Sequence, residues 1–169
     1  FLEVSYLLIY GEPPTKIELR NFEDEIKKVT LIHEDMKKFF DAFTSNTHPM
    51  TIFSTLIFAL SGFYLDTYDT GESSDLVDIT IRRLLAKSPT IASWTLKHIN
   101  GDPYMYPQSG LNYCDNLQYM LFASPKKDYE INPLISRALD KLLILHADHE
   151  QNCSTSAVRM VGSSHVNLY

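Results

Sequence analysis

Apolar residues recur along this sequence at steps of three and four, and no stretch of useful length alternates apolar with polar. A step of three to four returns a side chain to one face of an α-helix, whereas a half-buried strand needs a step of two. The pattern therefore places the chain in the all-α class, built from many short packed helices and no long coiled coil. With 169 residues, 44% of them hydrophobic and 21% charged, the chain can bury one core and has ordinary globular composition.

Punctuation divides the pattern into elements. Leu2 to Tyr10 reads as one helix, stopped by Gly11 and Pro13-Pro14. Thr15 and Glu18 form a capping-box signature for a second helix, with Leu19, Phe22 and Ile26 on one face. Leu31 to Phe43 repeats the theme through Met36, Phe39 and Phe40, and Pro49 suits the first turn of an apolar helix from Met50 to about Gly62. After the polar loop "DTYDTGESSD", Ser74 can cap a helix from Asp75 to Lys87. Pro89 is expected to break or kink it, with Ser88 capping a second segment to Ile99. "NGDPYMYPQSG" and "ASPKKDYEINP" read as turns on either side of a helix Tyr113–Phe122 capped by Asn112, and Asn132-Pro133 start the last long helix.

Charge and composition exclude some partners. The net charge is −6, from 21 acidic against 15 basic residues, with no clustered basic stripe, so nucleic acid is not an expected partner. The longest apolar run, "MTIFSTLIFALSGFYL", is short for a bilayer and carries Thr51, Ser54, Thr55 and Ser61; it reads as a buried helix, and no membrane association is expected. Cys114 and Cys153 lie far apart with no export signal, which suggests reduced thiols and a cytoplasmic protein. The opening "FLEVSYLLIYGE" and the closing "GSSHVNLY" both read as cut from a longer chain.

Chemistry-bearing residues concentrate in "LHADHEQNCSTSAVR", where His146, Asp148, His149 and Glu150 follow an apolar run. Ile135, Leu139 and Leu142 form a stripe that extends to His146 and His149, so both histidines continue a buried face if the helix reaches them. Three readings fit: core histidines satisfied by neighbouring carboxylates; a metal site; or a donor site for an anionic small molecule, with Asn152 and Ser154 close behind. "HADHE" is neither H-E-x-x-H nor H-x-x-E-H, and no cysteine pair assists, so no metal is expected. The residue types alone leave the choice between the other two open.

The longer string "LLILHADHEQNCSTSAVRMVGSSHVN" strongly resembles citrate synthase, especially the bacterial form. So, in order, do "FLEVSYLLIYGEPPT", "IHEDMKKFFDAF", "HPMTIFSTLIFALSGFY", "RRLLAKSPTIAS" and "NYCDNLQYMLFASP…INPLISRALDKL", which together span essentially all 169 residues. The resemblance implies that residues 1–169 form part of the family's large helical domain, truncated at both ends. It implies condensation of acetyl-CoA with oxaloacetate and water to citrate and CoA, with acetyl-CoA a substrate and no cofactor. The family's catalytic histidines lie in G-P-L/A-H-G-G and G-H-R-V-Y motifs, with its aspartate further on, and none of these occurs here. No catalytic residue is therefore expected within the chain; the resemblance puts them downstream of Tyr169.

By position, the resemblance makes His149 a contact for oxaloacetate, with Asn152 and Ser154 orienting groups behind it and His146 a structural neighbour. It further implies a homodimer or hexamer, and an NADH effector site at Tyr64, Arg83, Lys87, Ser124 and Arg137. Val29 and Asp102 depart from that effector pattern, standing where it has a histidine and a glutamine. Two rival readings remain: a 2-methylcitrate synthase using propionyl-CoA, and a helical interaction module without catalysis.

Overall fold

The computed structural model describes residues 1–64, 74–148, 150 and 153–163, the side chain of Ser74 excepted. Among them there are helices and a single isolated bridge, Ser124 with Lys127, and no strand. The expected all-α class is what the chain adopts. The polar stretch expected as a loop at 66–75 falls largely outside the described residues, and so does the closing stretch up to Tyr169.

Helix α1 (Leu2–Tyr10) ends where Gly11 takes φ 82°, a left-handed conformation that favours glycine, and its N–H reaches Leu7 O at 2.8 Å. Helix α2 (Lys16–Lys28) opens on the expected capping box. The Glu18 N–H donates to Thr15 Oγ1 at 3.3 Å, and the Thr15 N–H donates to Glu18 Oε2 at 2.8 Å. Phe22 and Ile26 carry its buried face.

The single helix expected from Leu31 to Phe43 does not form. Instead a 3₁₀ turn (Glu34–Met36) feeds the one-turn helix α3 (Lys37–Phe40). The carbonyls upstream of it are taken by side chains of another helix: Lys87 Nζ donates to Val29 O at 2.7 Å and to Leu31 O, and Thr90 Oγ1 donates to Thr30 O at 3.0 Å. With those acceptors engaged elsewhere, His33 starts the turn afresh, its Nδ1 accepting the Asp35 N–H at 3.1 Å. Helix α4 (Pro49–Ala59) has Pro49 in its first turn, as expected, and tightens into a 3₁₀ turn (Leu60–Phe63).

Helix α5 (Ser74–Asn100) also corrects an expectation, because it runs unbroken through Pro89. Proline deprives the Leu85 carbonyl of its helical donor. That carbonyl accepts instead from the Tyr113 hydroxyl at 2.9 Å, while Ser88 Oγ, expected to cap a new segment, donates back to Leu84 O at 2.6 Å. The break a proline threatens is thus repaired by groups remote in sequence or turned back along the helix.

Helices α6 (Tyr113–Phe122), α7 (Pro133–Ala147) and α8 (Cys153–Gly162) complete the described elements. Helix α5 is the central element, packing on α2, α4 and α6, with α7 laid against α6. One buried cluster joins Ile32, Met36, Phe40, Ile52, Leu56, Leu60, Ile91 and Trp94; a second joins Leu2, Phe22, Ile26 and Ala86. Each fully buried large side chain contributes roughly 1.5–3 kcal/mol of transfer free energy, so these clusters, centred on α5, dominate the fold.

Candidate functional site

Helix α7 carries the histidine-rich segment, and its start is fixed by a buried polar knot on α6. The Gln118 side chain is fully buried. Its Nε2 donates to Asn132 O at 2.9 Å and to Ser136 Oγ at 3.0 Å; its Oε1 accepts from the Asn132 N–H at 2.7 Å and from the Tyr129 hydroxyl at 3.2 Å. Both donors and both lone pairs of the amide are used. The Ser136 hydroxyl donates to Asp115 Oδ1 at 2.5 Å, and Asp115 Oδ2 accepts from Asn112 Nδ2, the cap of α6, at 2.5 Å. Asn132 caps α7, its Oδ1 accepting the Leu134 N–H at 2.9 Å.

At the other end, α7 stops at Ala147 and Asp148 turns extended, φ −153°. Glu150 takes φ 82°, a left-handed conformation that costs a non-glycine residue roughly 1–2 kcal/mol. Glu150 therefore carries backbone strain four residues past His146, a feature that clusters at functional sites. His149 and Asn152 lie outside the described residues, as does Tyr169, beyond which the catalytic groups are expected. His146 is exposed, and its Nδ1 lies 2.7 Å from Leu142 O, so that nitrogen carries the proton and donates. Ser154 sits exposed in the first turn of α8.

The stripe expected to be buried is not buried. Ile135, Leu142 and His146 are exposed and Leu139 half-buried; among the described residues of α7 only Ser136 is buried. The helix meets α6 through its polar first turn, so its leucine stripe points away from the core formed by these residues.

The five residues named for an effector form one partial cluster. The Arg83 guanidinium lies 4.4 Å and the Lys87 ammonium 5.5 Å from the Tyr64 ring centroid. Lys87 is buried, which with the neighbouring charge of Arg83 pulls its pKa down to about 8. Two of its donors are committed to the Val29 and Leu31 carbonyls. Ser124 instead lines a polar cleft with Tyr119, Tyr129, Lys126 and Lys127, and Arg137 borders a cleft of about 370 Å³ between α2, α5, α6 and α7. Asp102 lies 3.9 Å from the buried ammonium of Lys97, which also donates to Ala123 O at 2.9 Å.

Gln118, Ser136 and Asp115 fall within a stretch that carries the family resemblance, but none of them is named there as a site residue. A glutamine among apolar neighbours in "NLQYMLF" is the available signal, since a buried amide requires partners. Among the described residues no three His, Cys, Asp or Glu side chains gather to hold a metal, and no helix is long and apolar enough to cross a membrane.

The whole chain, residues 1–169, matches the family model described as "Citrate synthase, C-terminal domain". It is 48% identical over all 169 residues to "Citrate synthase 1" of Mycobacterium tuberculosis and 48% identical to "Citrate synthase" of Corynebacterium glutamicum. It spans 39% and 38% of those relatives' lengths. The structure resembles citrate synthase from Pyrobaculum aerophilum at TM-score 0.84 and 30% identity, covering 99% of this chain and 42% of that one. It also shares the fold of the Thermotoga maritima citrate synthase, at TM-score 0.79 and 23% identity over 99% of this chain and 41% of that one. A match of this extent makes the chain a member of the citrate synthase family.

Proposed function

We propose that the complete polypeptide containing these residues is a citrate synthase, condensing acetyl-CoA with oxaloacetate and water to give citrate and CoA. The observation that carries this reading is the 48% identity over an alignment that spans all 169 residues. In this reading the segment contributes part of the oxaloacetate site. His149 donates a hydrogen bond to the oxygens of the keto-diacid, Asn152 and Ser154 orient its partners, and His146 braces the helix end. A fixed donor aimed at an oxygen that gains negative charge lowers the barrier without reorganisation. The carboxylate that removes the methyl proton and the two catalytic histidines belong to motifs absent from residues 1–169, so the isolated segment cannot turn over.

Thiol release from acetyl-CoA in the presence of oxaloacetate tests the reading. The complete polypeptide is expected to be active, the isolated 1–169 segment to stay at background, and His149→Ala in the complete polypeptide to lose about 10²–10³ in turnover. A faster rate with propionyl-CoA would reassign it as a 2-methylcitrate synthase. Release of no thiol with either ester, or robust turnover by the segment alone, would overturn it.

A further inference from the structure

We propose that Asn100 is a site of spontaneous deamidation gated by the C-terminal cap of α5: the closed cap keeps its side-chain amide from the Gly101 nitrogen, and local opening lets them react. Of the chain's asparagines only Asn100 is followed by glycine, so it alone has a neighbouring backbone nitrogen that no side chain screens. Asn100 is the last residue of α5. It is exposed, as are Gly101 and Asp102, and its side chain makes no hydrogen bond to a described residue.

The reaction needs only solvent. The Gly101 nitrogen, its proton taken by hydroxide, attacks the Asn100 side-chain carbonyl carbon. A nitrogen–carbon bond forms, the bond to the amide nitrogen breaks, and ammonia leaves with a proton from water. Water then opens the five-membered imide at either carbonyl, giving aspartate or isoaspartate.

In the closed cap this attack is blocked. Gly101 takes φ 70°, and its N–H donates to His98 O at 3.1 Å, while the Asp102 N–H donates to Lys97 O at 2.8 Å. These are the paired bonds of a Schellman motif. The Lys97 ammonium adds a further tie, 3.9 Å from an Asp102 carboxylate oxygen. Two net hydrogen bonds leave the cap open in roughly one molecule in five to one in a hundred. Global unfolding reaches fewer than about one molecule in 10³, so opening at the helix end is the faster route. Beyond its own chain neighbours, no described atom lies within 4 Å of the position a Cβ on Gly101 would occupy, which gives the opened chain room to turn.

The product changes the backbone as well as the charge. Isoaspartate routes the main chain through one extra carbon, so the two cap N–H groups no longer reach the His98 and Lys97 carbonyls together. A carboxylate also replaces a neutral amide at the negative end of the helix dipole. The loop leaving this cap stacks Tyr104 on Trp94, ring centroids 4.7 Å apart, and offers Met105 O to Trp94 Nε1 at 2.8 Å. Deamidation at Asn100 therefore loosens a loop that packs on the larger buried cluster.

The test is to age the complete polypeptide in warm, mildly alkaline buffer, with and without denaturant, and to map peptides by a method that separates aspartate from isoaspartate. Both products are expected at Asn100 in the folded protein, formed about fivefold to a hundredfold more slowly than in the denatured chain. Asn100→Gln, which must close a larger ring, should lose them. Aged protein should melt a few degrees early, whereas Asn100→Asp, with the charge on an ordinary backbone, should melt close to the unaged protein. No product at Asn100 in the folded protein, or a rate ratio outside that range, would overturn the inference. An aged protein that melts unchanged, or no earlier than Asn100→Asp, would contradict the backbone consequence. None of these readouts is turnover, so they leave the proposed condensation untouched.

Discussion

At the scale of single residues, Lys87 shows how one buried cation can replace a length of helix. Its ammonium takes the carbonyls of Val29 and Leu31 just past the end of α2, where helix carbonyls lack internal partners and the local charge is negative. Burial nevertheless outweighs this attraction and, with Arg83 nearby, draws the Lys87 pKa down to about 8 from an ordinary 10.5. The consequence for stability has a definite sign. Between pH 8 and 10.5 the unfolded chain keeps a proton that the folded chain has released, so the unfolded state binds more protons and stability rises with pH across that window. Below pH 8 both states are protonated and Lys87 contributes no slope. Urea unfolding at stepped pH is expected to show a gain on the order of 1–3 kcal/mol from this group. Lys87→Met should remove the gain; an unchanged slope in that variant would show that another group titrates there.

At the scale of elements, the proline in α5 supplies a second test. The Tyr113 hydroxyl replaces the N–H that Pro89 cannot offer to Leu85 O, and burial drives its pKa well above the usual phenol range, which keeps the hydroxyl protonated as a donor. Tyr113→Phe strands the partly buried Leu85 carbonyl and is expected to cost about 1–2 kcal/mol in denaturant unfolding. In a Pro89→Ala background the helix can supply its own donor, so the cost should fall to a few tenths of a kcal/mol, a coupling that a double-mutant cycle reads directly. This pair also marks the boundary of what local sequence carries. Thr15 with Glu18, Gly11, Asn112 and Asn132 all act within one turn of themselves, and each is legible as a cap or stop. Pro89 and the 31–43 stretch defeat a local reading because partners far along the chain, Tyr113 for one and Lys87 with Thr90 for the other, decide the outcome. At the candidate site the long motif makes the family legible, whereas Gln118 and Ser136 acquire meaning only when α6 and α7 are brought together.

At the scale of the whole molecule, the exposed leucine stripe of α7 is the feature that the described residues leave uncovered. Leu134 is 67% exposed, Leu142 51% and Leu145 64%. Val158, Met160 and Val161 on α8, with Met50 and Phe58 on α4, add further apolar side chains to the surface. Isolated exposed leucines are ordinary, but a helix whose apolar residues fall in register along one line presents a contiguous strip that water does not favour. The relatives that match are more than twice as long, so in them this strip has additional chain available to cover it. The segment prepared alone is therefore expected to self-associate through this strip, with a concentration-dependent apparent mass by light scattering and sensitivity to mild detergent. Replacing Leu142 and Leu145 together by Lys should reduce the association at least severalfold while leaving the far-ultraviolet circular dichroism unchanged, because neither side chain supports the core clusters. A segment that stays monomeric at high concentration would mean that the strip is covered by the segment's own residues in solution.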